Sequence, residues 1–159
     1  MSNDFRIDSN WIEYISNQSN MDSLVLPKLS YKIVGTLFKV HNELGPSLLE
    51  KHYQRAIEKE FIEQRINFKK EFSVDLKYKS ENIGKYFLDF LVEGKVILET
   101  KAVKSYNPKF FKQVLSYLKV TKLPLAIMTN FRRERLMYRR VINPDFQNID
   151  LTDFDKKFE

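Results

Sequence analysis

No cysteine occurs among the 159 residues. This absence excludes a disulfide framework, a zinc site built on thiolates and an iron–sulfur cluster, and it suits a reducing compartment. Glycine is scarce: four in all leave no room for a glycine-rich loop that cradles phosphates. The two histidines, His41 and His52, form no recognisable ligand pair. No apolar run approaches membrane-spanning length, and the opening MSNDFRIDSN lacks the basic-then-apolar layout of a signal peptide. The expectation is a cytoplasmic protein with no membrane partner.

What is present suits a soluble globular chain: 43% hydrophobic and 30% charged residues. Its length fits one domain with a sizeable core. Lys and Arg total 27 against 21 Asp and Glu, a formal net charge of +6. Such a balance favours a polyanionic partner, because a basic surface displaces counterions from phosphates. Arg132, Arg133, Arg135, Arg139 and Arg140 crowd into nine residues. Charge alone fits a solvated basic edge as well as a phosphate-binding one.

Residues 1–28 show no sustained period and are read as an N-terminal extension, with one short amphipathic helix around Trp11, Ile12, Tyr14 and Ile15. The domain runs over 29–159. Leu29, Ile33, Val34, Leu37, Val40 and Leu44 form one stripe at helical spacing, ended by Gly45-Pro46. Ser47 is placed as an N-cap with Glu50 three residues on, a capping-box arrangement. Leu49, Tyr53, Ala56, Ile57 and Phe61 supply the next helix's apolar face. The period then switches to two: Phe72, Val74, Leu76 and Tyr78 alternate with polar residues. A turn over Ser80 to Gly84 leads to strands over Tyr86 to Val92 and Lys95 to Val103. Pro108 opens a third helix, with Phe111, Val114, Leu115 and Leu118 inward. Leu125 to Thr129 reads as a buried strand, and Arg135 to Ile142 as another with a basic face. The order α-α-β-β-β-α-β-β predicts an α/β fold with a mixed central sheet flanked by helices.

Asp89 sits at the centre of an otherwise apolar strand, and Glu99 and Lys101 lie within the next apolar run. Burying an ionised carboxylate is costly unless a cation compensates it. Two acids on neighbouring strands plus a lysine suit a hard-cation site with a charged neighbour for water or phosphate. Period two puts Glu99 and Lys101 on one face. A two-residue loop at Glu93-Gly94 turns Asp89 away from Glu99. An odd loop, such as Val92-Glu93-Gly94 with Gly94 left-handed, brings them together. A strand-edge salt bridge from Lys101 to either acid fits the spacing as well as a metal site does.

The stretch VHNELGPSLLEKHY from Val40 to Tyr53 resembles the GxxExxY proteins, a family placed in the PD-(D/E)XK nuclease superfamily. So do Leu88 to Val103, Gln113 to Leu118, and Thr129-Asn130-Phe131, in the family's order from Leu29 to Ile142. The resemblance implies a restriction-endonuclease-like core in which Asp89, Glu99 and the Thr100 carbonyl ligate Mg²⁺ or Mn²⁺. Lys101 then orients or activates the attacking water and stabilises charge at the phosphate. Glu50 is the outer acid, and Gln113 and Tyr117 match a QxxxY element on one helix face. Ser47 departs from the family's naming glycine. Bland alternatives stand beside these roles: a capping box for Glu50, a solvated position for Gln113, core packing for Tyr117 and Tyr53.

The leading functional expectation is a metal-dependent nuclease acting on DNA or RNA. Lys104, Lys109, Arg132, Arg133, Arg135, Arg139 and Arg140 would track the nucleic-acid backbone. The alternatives are a catalytically silent nuclease-fold module for nucleic-acid binding or assembly, and a small partner-binding protein. A homodimer is left open.

Overall fold

A computed structural model of the chain describes residues 25–148. The expected helix around Trp11 and the end of the polar tail fall outside the described residues. Helix α1 spans Pro27–Leu44 and buries Ile33, Leu37 and Val40, the predicted stripe. Gly45 ends it at φ 72°, its N–H donating to the His41 carbonyl. Val25 and Leu26, assigned to the extension, are buried in the core.

Helix α2, Glu50–Glu63, buries Tyr53, Ile57 and Phe61. Ser47 does not cap it. The flanking residue is Leu49, exposed, whose N–H donates to His52 Nδ1 at 3.3 Å. Glu50 is therefore the first helical residue, and the expected capping box is not the one that forms. A different clamp shapes the entry: the buried Tyr53 hydroxyl donates to the Gly45 carbonyl and accepts from the Leu48 N–H at 3.1 Å. Tyr53 also stacks on Phe131, centroids 4.3 Å apart.

Five strands follow: β1 Phe68–Tyr78, β2 Glu81–Val92, β3 Val96–Lys101, β4 Leu125–Asn130 and β5 Met137–Ile142. Helix α3, Pro108–Thr121, connects β3 to β4. Sheet order follows chain order; the β3–β4 pair is parallel and the others antiparallel. The β1–β2 turn is tighter than expected: Lys79 and Ser80 alone make it, both left-handed, and strand pairing resumes at Glu81. Helices α1 and α2 cover one face and α3 the other, each over its own apolar cluster.

The β1–β2 ribbon changes faces along its length. Phe68, Phe90 and Val92 pack with α1 and α2, whereas Phe72, Val74, Tyr86 and Leu88 pack with α3. Simple alternation puts all seven on one face. The switch falls between the Lys70↔Phe90 and Phe72↔Leu88 pairs, where Glu71 adopts φ 51°. Asp89 sits at this crossing.

Candidate metal centre

The β2–β3 connection is the three-residue loop Glu93-Gly94-Lys95, closed by Lys95 N–H donating to the Val92 carbonyl at 3.0 Å. It is odd, as the site requires, and one residue further along than the loop pictured from the sequence. Both Glu93 and Gly94 are left-handed, φ 52° and 65°. The register Val92↔Val96 and Phe90↔Leu98 brings Asp89 opposite Glu99. The strand ladder ends at Phe90↔Leu98, and carboxylates take up the next backbone donors. Asp89 N–H donates to Glu99 Oε1 at 3.1 Å, and Thr100 N–H donates to Asp89 Oδ2 at 2.8 Å. The Thr100 hydroxyl donates to the same Oδ2 at 3.1 Å.

Glu99 is 6% exposed. Burial, and then the adjacent Asp89 carboxylate, push its carboxyl up to about 8, against the pull of Lys101. Burial also raises Glu50, which feels Lys101 and Asp89 across the gap between α2 and the sheet. Gln54, one turn after Glu50, ties that helix to the site by donating to Thr100 Oγ1 at 2.9 Å.

Lys101 makes no ion pair with either acid, so the strand-edge salt bridge is not what forms. Its Nζ lies instead 4.5 Å from the centre of the Phe110 ring. From α3, Tyr117 is buried beside the acid pair and hydrogen-bonded to the exposed Gln113. Burial, Glu99 and Asp89 push its phenol up to about 12, which keeps it protonated at neutral pH. The exit of β3 is pinned by Asn130, whose side chain accepts from Val103 N–H at 3.1 Å and donates to its carbonyl at 2.9 Å.

The basic residues divide. Arg132, Arg133 and Arg135 are exposed after β4, and Lys104 and Lys109 are exposed after β3. Because β3 and β4 are parallel, both segments leave one end of the sheet, the end that carries Lys101. The two arginines of β5 part to opposite sides of the sheet. Arg139 lies 4.8 Å from the Phe111 ring, on the α3 side. Arg140 holds the start of α1 through the Val25 carbonyl and Ser30 Oγ, a structural task.

A family model of the PD-(D/E)XK nuclease superfamily matches residues 27–141. The chain belongs to that superfamily. No curated protein and no solved structure matches it significantly. The PD-(D/E)XK assignment agrees with the five-stranded mixed sheet flanked by helices, and it supports a nuclease-type function, since members are usually nucleases that use divalent metals. The donor set suits such an ion: two carboxyls in contact, one buried, with no cation among the described residues ion-paired to either. Among the described residues, no group of three or more acidic or histidine side chains forms a preformed cage.

Gln54, Phe110 and Asn130 carry no site role in the sequence reading. Gln54 stands four residues after Glu50, a spacing that announces a shared helix face. Asn130 lies in a triplet noted only for resemblance. Phe110 offers no signal beyond its place after Pro108.

Proposed function

We propose that the chain is a GxxExxY-type member of the superfamily that hydrolyses phosphodiester bonds in DNA or RNA, with Asp89, Glu99 and the Thr100 carbonyl holding Mg²⁺ or Mn²⁺. The observation that supports this most is the pairing of Asp89 with Glu99 across β2 and β3, beside a Lys101 that forms no ion pair with either acid. When bound, the ion supplies Lewis-acid polarisation of the phosphate and acidifies water. Lys101 stabilises charge on the phosphate and orients the attacking water. Glu50 is the outer acid. Tyr117, protonated at working pH, acts as a hydrogen-bond donor and not as a base, and Gln113 orients it. Arg132, Arg133, Arg135, Lys104 and Lys109 bind the flanking backbone, with Arg139 on the α3 side of the sheet.

Purified full-length protein should cleave nucleic acid with Mg²⁺ or Mn²⁺, and Lys101→Ala should abolish cleavage while leaving the circular dichroism spectrum unchanged. Equal activity of wild type and Lys101→Ala would refute the assigned chemistry. Salt-dependent nucleic-acid binding without metal binding would point to a silent module.

A further inference from the structure

Glu99 and Lys101 share one face of β3, and the Lys101 ammonium is close enough to Glu99 and Glu50 to lower both their pKa values. A flexible lysine beside one buried and one half-buried carboxyl ordinarily closes onto one of them, where a charge-assisted hydrogen bond is available. Here it does not. The ammonium stands 4.5 Å from the Phe110 ring centre, within the range of a cation–π contact. Phe110 is itself held edge-on by Tyr106, centroids 5.9 Å apart at 78°. Asn107, which caps α3 by accepting from Lys109 N–H at 2.9 Å, fixes the first turn that carries Phe110.

We propose that Phe110 is a positioning residue whose ring seats the Lys101 ammonium away from the acid pair, leaving Asp89 and Glu99 open to a divalent cation. The inference rests on the metal-centre reading above. Without the ring, Lys101 becomes an internal competitor for the ligands, because an ammonium and a divalent ion seek the same carboxylate oxygens. A cation–π contact between these half-buried groups contributes about 1 kcal/mol, enough to shift the balance several-fold.

The test uses Mn²⁺ alone, titrated into the full-length protein by calorimetry. Phe110→Leu should weaken Mn²⁺ binding roughly three- to tenfold, the size of one cation–π contact, while Phe110→Trp should keep wild-type affinity. Adding Lys101→Met to Phe110→Leu should remove the loss, since the competitor is gone. Trifluorophenylalanine at position 110 keeps the ring's shape and weakens its negative face, so it should reproduce the loss even if Phe110→Leu folds poorly. In metal-free protein, the Lys101 ε-methylene protons should be ring-shifted upfield in wild type and lose that shift in Phe110→Leu. Undiminished Mn²⁺ affinity in the leucine and trifluoro variants overturns the proposal. So does a loss that persists unchanged in the double variant, which would mark Phe110 as ordinary packing. No Mn²⁺ binding by the wild type would instead bring down the metal reading and this inference with it.

Discussion

Burial and the Asp89 carboxylate hold the Glu99 carboxyl at about 8, well above the ordinary glutamate value of 4.5. Between those two values the native metal-free state binds more protons than the unfolded chain. Its stability is therefore greatest at the acid end of that window and falls as pH rises toward 8, by at most about 1.4 kcal/mol per pH unit. Denaturant titrations of metal-free protein from pH 5 to 8 should show this fall, and Glu99→Gln should flatten it. A Glu99→Gln curve as steep as wild type would mean that another group carries the effect. Because the metal needs the ionised pair, Mg²⁺ should stabilise the wild type more at pH 8 than at pH 6.

At the scale of elements, the site depends on where β3 ends and on the parity of one loop. Asn130 is 1% exposed and satisfies both backbone groups of Val103 and the Arg132 N–H, at 3.1, 2.9 and 3.2 Å. Asn130→Ala should cost about 3 kcal/mol, at roughly 1 kcal/mol per hydrogen bond, measured by urea denaturation, with faster amide exchange at Val103 and Arg132. Protection equal to wild type would show that the strand exit is held by something else. These elements also mark how far the sequence could be read. The helices and the β1 alternation were legible because burial of one face imposes a period on the residues. The two carboxylates were legible because an acid in an apolar strand needs compensation. Loop parity was not, since it turned on Glu93, a non-glycine residue, joining Gly94 in the left-handed region. Nor were the cap of α2 or the bond from Gln54 to Thr100, which depend on partners fixed only by tertiary packing. The adjacent pair Arg139 and Arg140 looked like one patch, but neighbouring strand residues point to opposite faces, and the two separate accordingly.

Across the whole molecule, a net charge of +6 is distributed so that one end of the parallel strand pair carries exposed Lys104, Lys109, Arg132, Arg133 and Arg135. Among the described residues, no helix is long and apolar enough to cross a membrane. Replacing Arg132, Arg133 and Arg135 together by Ala should weaken nucleic-acid binding across sequences and reduce the salt-dependence slope by about 2 to 3. Arg140→Ala should leave that slope unaltered and instead lower stability by about 1–3 kcal/mol, because it frees the start of α1. A slope unchanged in the triple variant would show that this surface does not contact the phosphates. The claim on which the rest depends is that Asp89 and Glu99 form a metal centre. A structure of Mn²⁺-soaked crystals measures this most directly through anomalous density. One ion is expected between the Asp89 and Glu99 carboxylates and the Thr100 carbonyl; an acid pair that stays in mutual contact with no ion at saturating Mn²⁺ would contradict the claim.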